Sequence, residues 1–339
     1  MRTIPVIHCF DHNYVLPAGV AFQSMLEQAI SPDTHYALHV VGTALTDGDK
    51  TLLSGIVAHF PQASLEFHDP PPLNLPAFEN RGNLARDVFY KMMLPDLFPQ
   101  YDLVIVSDVD VAYADDIASF FDAFGENEDF YVCGTEDIGY ASWRARGILR
   151  DGGAPKFFKR YQRNMTAEER ESLRIGMGFI VMNLRLCRAD GMTARWFSFA
   201  QGNFDRLVLL EQDVINICCA PKVQAVSSRF MAIAGYEPAY RSLSEAERAA
   251  NPAWDDMFAH PVQIHYASGV KPWKYPYSAC SGLWFQACLS AGLFDLWRAR
   301  YWHFMAPQFR TMFGKKLLDV RVPVGKRVFH LQLTKESVG

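Results

Sequence analysis

Short apolar runs and longer amphipathic stretches alternate along the first third of the chain. Residues 4–10 (IPVIHCF) form an apolar run short enough to be a buried strand. The polar loop Asp11-His12-Asn13-Tyr14 follows. Pro17 then sits near the start of an amphipathic helix reaching about residue 30, where proline is tolerated. Residues 35–41 predict a second strand, 47–60 a second helix and 64–68 a third strand. This strand–helix–strand–helix–strand order is that of a doubly wound nucleotide-binding half.

Residues 69–76 (DPPPLNLP) break the rhythm and predict a loop. Asn83 can cap a helix that carries Ala85, Val88, Phe89, Met92 and Met93 inward. Residues 103–107 (LVIVS) are rich in β-branched side chains and predict a buried strand. A short helix over 117–124 and strands over 130–133 and 178–184 come next, with a helical segment inside 207–219. Residues 138–173 mix glycines, basic residues and aromatics, which fits either an acceptor-facing excursion or plain surface.

The chain has 339 residues, half of them hydrophobic and 14% aromatic, which is ample material for a large core. The pattern suits one large α/β domain over 1–280 and a helical, basic and aromatic extension over 281–339. A net charge of −4 gives no sign of nucleic-acid binding. Seven cysteines without a Cys-x-x-Cys spacing read as buried free thiols in a reducing compartment. The N-terminus lacks a signal-peptide core, and no apolar stretch reaches transmembrane length. These features predict a cytoplasmic protein, peripheral at most on the inner face of a membrane.

Candidate chemistry starts with Asp108-Val109-Asp110, at the end of the strand over 103–107. Residues two apart on an extended chain point to one side, so both carboxylates face one point beyond the strand's carboxyl end. In an open α/β sheet, ligands bind there. Crowded carboxylates repel unless a cation joins them, and a hard ion such as Mn²⁺ or Mg²⁺ suits oxygen ligands. The same tripeptide also occurs in solvated turns. The segment 264–273 (IHYASGVKPW) adds His265, an acceptable Mn²⁺ ligand, then Gly269, which lets backbone approach closely, and Lys271, a point charge for phosphate. Taken alone, these also read as a structural histidine and a surface lysine. A dinucleotide fingerprint is excluded, because Gly176-Met177-Gly178 is followed by Val181 where a third glycine is needed. No Walker loop occurs.

Four blocks, in order, resemble glycosyltransferase family 8, which includes bacterial lipopolysaccharide galactosyl- and glucosyltransferases and glycogenin. They are residues 10–14 (FDHNY), 107–111 (SDVDV), the pair 176–184 (GMGFIVMNL) and 211–216 (EQDVIN), and 265–273. The resemblance implies a GT-A fold, a Rossmann-like mixed sheet flanked by helices, and retaining transfer of a hexose from a UDP-sugar. Carried over by position, it implies Asp108, Asp110 and His265 as Mn²⁺ ligands and Lys271 as the diphosphate contact. Asp11 and Asn13 fall at uracil or ribose contacts. Lys91 falls where an arginine usually reaches the donor sugar. Gln212 falls beneath the anomeric carbon, and Glu211 where an aspartate usually binds sugar hydroxyls. Departures surround the sugar: Gly176 replaces Asn, Glu211 is one methylene longer, and Lys91 replaces a planar guanidinium fork.

Between residues 297 and 329, eight Lys and Arg residues face one acidic residue, Asp319, among interleaved aromatics. That composition suits an interfacial segment on an anionic membrane, and a glycan or glycolipid acceptor would match it. It equally suits aromatics packed on the protein with solvated basic residues. A catalytically weak sugar-nucleotide-binding or carbohydrate-interaction protein is the alternative to an active transferase.

Overall fold

A computed structural model describes residues 2–75, 86–137, 156–250, 252–267, 269–313, 318–324 and 327–333. The chain divides into two compact units, Met1–Ala291 and Gly292–Gly339.

The first unit opens with β1 (Arg2–Asp11), α1 (Val15–Glu27), β2 (Thr34–Thr43), α2 (Asp47–Val57) and β3 (Ala63–His68). After these come β4 (Leu103–Ser107), β5 (Val111–Tyr113), β6 (Val132–Glu136), β7 (Ile175–Asn183), β8 (Val223–Val226), β9 (Ala232–Ile233) and β10 (Gln263–His265). A seven-stranded sheet runs β3-β2-β1-β4-β7-β6-β8. Its strands are parallel except β7, which is antiparallel to both neighbours. The chain winds from β1 to β2 on one side and to β4 on the other. The topological switch therefore lies at the carboxyl ends of β1 and β4, where Asp11 and Asp108 stand.

Strand β4 is buried on both faces, as its continuous apolar run requires. Val104 and Val106 pack with Phe89, Met92 and Trp196 on one face, while Ile105 packs with Val6, Phe22 and Leu53 on the other. Thr46 and Asp49 form a capping box at the start of α2. The helix stops at Val57, short of the expected residue 60, because Pro61 disfavours helical backbone at Phe60. The helix expected after Asn83 is a 3₁₀ helix over Arg86–Met93, with Phe89 and Met92 buried; Asn83 and Ala85 lie outside the described residues. Pro95 has no N–H to give the carbonyl of Lys91, and it stands in the first turn of a separate short helix, Leu94–Leu97. Residues 138–155, half of the ambiguous stretch, also lie outside the described residues.

A small sheet, β5-β10-β9, stands beside the large one. β10 is antiparallel to β5, pairing His265 with Val111, and parallel to β9. Asp108–Asp110 thus forms the link between the two sheets. All seven cysteines are free, and six are buried. In the second unit, a helix over Phe294–Phe313 precedes an antiparallel hairpin of β11 (Leu318–Val324) and β12 (Arg327–Leu333). Among the described residues, no helix is long and apolar enough to cross a membrane.

Candidate active site

Strand β4 delivers Asp108 to the sheet's carboxyl edge, where its backbone N–H donates to Gly178 O at 2.8 Å. The preceding residue is tied from three directions. Ser107 O faces His8 Nδ1 at 3.0 Å, and Ser107 Oγ meets Tyr113 OH at 2.6 Å and Gln263 Nε2 at 3.1 Å. On the other side of the tripeptide, the N–H of Tyr266 donates to Asp110 O at 2.9 Å, which docks β10 against the link.

This docking brings His265 to the carboxylates. Its Nε2 lies 3.2 Å from Asp110 Oδ1 and 3.6 Å from Asp108 Oδ2. One ligand atom from each of the three residues falls within 4.8 Å of the others. Gly178 makes the arrangement sterically possible. A Cβ there would sit 2.3 Å from His265 Cε1 and 3.2 Å from Asp108 Oδ2. Two carboxylates and an imidazole around one point, with a glycine keeping the space open, fit a hard divalent cation.

Two lysines complete the cluster. Lys271 is buried, and its ammonium contacts Asp110 Oδ2 and donates to Tyr266 O at 2.6 Å. Lys91 is also buried. Its ammonium donates to Asp108 Oδ1 at 2.7 Å, Glu211 Oε1 at 3.1 Å and Met177 O at 3.1 Å. These three acceptors match the three N–H groups of an ammonium. Three carboxylates meet two ammonium groups here, which leaves the cluster net negative and attractive to a cation.

The proton equilibria follow. For Asp110, burial pushes the pKa up, but Lys271 and His265 together outweigh it and hold the carboxyl well below the usual range. For Lys91, burial acts against the charge, yet Asp108 and Glu211 win and the pKa is raised. Glu211 is raised by burial against the opposing pull of Lys91.

Glu211 and Gln212 open the helix Glu211–Cys219. Gln212 Oε1 accepts from Met177 N–H at 3.1 Å, on the strand that carries Gly178. Asn216 clamps the same helix to β7: its amide donates to Ile175 O at 2.9 Å and its oxygen accepts from the N–H groups of Arg174 and Ile175. Ahead of the helix, Leu210 adopts a positive φ of 52°. Asp213 holds that turn by accepting from Val208 N–H at 2.6 Å, Leu209 N–H at 2.8 Å and Tyr161 OH at 2.8 Å. Burial pushes the Asp213 carboxyl up to about 6.

Asp11 ends β1, and its carboxylate accepts from the backbone and side-chain amides of Asn13 at 2.9 and 3.0 Å. The neighbouring Tyr14 links this loop to the cluster. Its pKa is raised by burial and by the negative charges of Asp110, Asp108 and Asp11, and its ring meets Trp273 edge-on at 6.1 Å. Gly269 lies exposed between Tyr266 and Lys271; Ser268 lies outside the described residues. The structure therefore gathers Asp108, Asp110, His265, Lys271, Lys91 and Glu211 into one contact network, joins Gln212 to it through Met177, and sets Asp11 and Asn13 at the adjoining strand end.

Four contributors escape sequence reasoning: Gly178, Tyr14, Asp213 and Met231. Met231 Cε would lie 2.6 Å from a Cβ at Gly176, so a thioether occupies the space a side chain there would need. Glycine inside a strand is the one available signal, since it marks a close approach.

The sequence profile of Glycosyl transferase family 8 matches residues 5–276. No curated protein matches the chain significantly. Among solved structures, the bifunctional glycosyltransferase WbbM in its apo form superposes with a TM-score of 0.62 at 19% identity, covering 84% of this chain and 49% of WbbM. The chain thus spans about half of WbbM's length. The galactosyltransferase LgtC, solved with donor and acceptor sugar analogues, gives a TM-score of 0.61 at 17% identity, covering 85% of this chain and 96% of LgtC. The glycosyltransferase GlyE of Streptococcus pneumoniae TIGR4 gives 0.57 at 13% identity, covering 88% and 64%. At such identities the likeness is one of fold, the GT-A fold.

Proposed function

This chain belongs to glycosyltransferase family 8 and is a glycosyltransferase; from that premise we propose that it moves a hexose from a UDP-sugar to a glycan or glycolipid acceptor of the cell-surface type. The transfer retains anomeric configuration and uses Mn²⁺ or Mg²⁺ held by Asp108, Asp110 and His265. The cluster of these three ligands within 4.8 Å carries the reading.

The bound ion supplies Lewis-acid stabilisation for the negative charge that develops as UDP departs. Lys271, already beside Asp110, offers a second positive charge to the diphosphate. Gly269 allows the loop backbone to approach the phosphates. Asp11 and Asn13 present acceptor and donor groups to the uracil or ribose. Lys91 ties the metal-binding carboxylate Asp108 to the sugar-facing carboxylate Glu211, so one ammonium links the groups assigned to the diphosphate and to the sugar. Gln212, polar and uncharged, is the residue we assign to the anomeric carbon, whose oxocarbenium character it would stabilise.

Two observations favour same-face attack, with the departing phosphate taking the acceptor's proton. Glu211 is ion-paired to Lys91, and Asp213 is committed to the Val208–Leu210 turn. Neither is poised as a nucleophile. A catalytically weak sugar-nucleotide binder is the second reading, motivated by Met231 beside Gly176 and by the engaged Lys91. Transfer to an added acceptor separates the two. The basic and aromatic second unit is proposed to seat the enzyme on an anionic membrane surface.

The test is calorimetric titration with UDP, with and without Mn²⁺, on the wild type and Asp110→Ala. Mn²⁺-dependent binding that disappears in the variant is expected. Absence of UDP binding under both conditions would overturn the donor assignment.

A further inference from the structure

A second set of metal-ligating side chains is built from different elements. His39 lies on β2, and Glu66 and His68 lie on β3, the edge strand of the large sheet. The parallel register pairs His39 with Glu66 and places His68 two residues further on, so all three share one face.

Their nitrogen and oxygen atoms converge. His39 Nδ1 lies 3.0 Å from His68 Nε2 and 3.6 Å from Glu66 Oε2, and His68 Nε2 lies 3.8 Å from the same oxygen. A tetrahedral zinc ion with bonds of about 2.0–2.1 Å requires ligand atoms about 3.3–3.4 Å apart. The observed separations bracket that value.

The surroundings orient the imidazoles. His39 Nε2 meets Tyr101 OH at 2.9 Å. A proton on Nε2, shared with that hydroxyl, leaves the Nδ1 lone pair facing Glu66 and His68, the arrangement that metal-ligating histidines show. The buried Phe98 ring packs on both histidines, with centroids 5.1 and 4.9 Å away. The face is reachable: the side chains of Glu66 and His68 are 64% and 32% exposed, while His39 is 2% exposed. An ion can enter, and water can fill a fourth position.

We propose that His39, Glu66 and His68 form a second metal site, separate from the carboxylate-rich one, that takes a zinc-type ion and pins edge strand β3 to β2. Two imidazoles and one carboxylate are a nitrogen-rich set, which favours zinc over the harder ions that suit two carboxylates and one imidazole. The role is structural: the ion binds the folded register of the two strands and not the unfolded chain. A neutral hydrogen bond between His39 and His68 is the competing arrangement, and it needs nothing from Glu66.

The experiment is Zn²⁺ titration of the full chain against a chromophoric zinc chelator. It compares the wild type, His68→Gln, Glu66→Gln, Asp110→Asn and the double variant His68→Gln/Asp110→Asn. Both β3 variants change solvent-reachable side chains, and circular dichroism checks that each is folded. The wild type is expected to bind about two ions, each of His68→Gln and Asp110→Asn about one, and the double variant none. Glu66→Gln is expected to weaken one of the two sites at least about tenfold. Zinc should raise the melting temperature of Asp110→Asn and leave that of the double variant unchanged. Zinc stoichiometry and affinity that are the same in the wild type, His68→Gln and Glu66→Gln would overturn the proposal and leave the neutral histidine pair.

Discussion

At the scale of single residues, the site depends as much on what is missing as on what is present. Gly178 has no Cβ, and His265 occupies that space. In Gly178→Ala the imidazole must leave its place beside the two carboxylates or the strand must shift. Mn²⁺-dependent UDP binding is expected to weaken at least about tenfold, with far-ultraviolet circular dichroism unchanged. Lys91 poses the opposite case, a buried charge that others rely on. Lys91→Met leaves Asp108 and Glu211 together without their shared cation. It is expected to destabilise the protein by about 3–5 kcal/mol, read from urea denaturation, because breaking a buried ion pair exposes the remaining charge to a low-dielectric interior. That Asp108, Asp110, His265 and Lys271 come together was legible from a strand end, a two-residue spacing and the resemblance to family 8. Gly178 and Met231 were not, since a glycine's purpose lies in the atom a substitution would strike, and that atom comes from another strand.

At the scale of elements, the helix Glu211–Cys219 shows how a turn is held ready. Asp213 collects two backbone N–H groups and a tyrosine hydroxyl around the strained Leu210. Its pKa is pushed from 3.8 to about 6 by burial. Between those values the folded chain holds a proton that the unfolded chain has lost. The stability this group contributes is therefore present near pH 4 and is lost as pH rises through about 6. Relative to Asp213→Asn, the wild type should lose up to about 3 kcal/mol between pH 4 and pH 7. Denaturation curves of both proteins across that range check it. Strands with β-branched runs, such as β4, were readable from sequence. β7 begins at Ile175 although the pattern starts it at residue 178, because glycine at 176 is unfavourable in a strand and hides the start of its alternation. β5, β9 and β10 span two or three residues each, too few for any period to show.

At the scale of the whole molecule, alternating elements in the first third implied the doubly wound half, and the switch point between β1 and β4 fixed where the candidate site stands. The second unit was less legible. Its hairpin pairs Leu318 with Leu333, Val320 with Leu331 and Val322 with Phe329. The period-two alternation behind that register lies among so many basic residues that charge dominates the reading. If the second unit seats on membranes, the full chain should sediment with vesicles containing anionic lipid and remain in solution with neutral ones. Raising the salt should release it, because screening shortens electrostatic reach. Equal recovery with both vesicle types would remove the membrane role.

The Asp108–Asp110 tripeptide is also the seam that joins the large sheet to the small one. Whatever the carboxylates grip, they grip from both sides of that seam, so occupancy of the site works as a bolt through a joint. β5 and β10 are short and pair with each other over only three residues. Their backbone amides should exchange with solvent more slowly once the joint is bolted. The chain would then register donor arrival as stiffness in strands that need not touch the sugar.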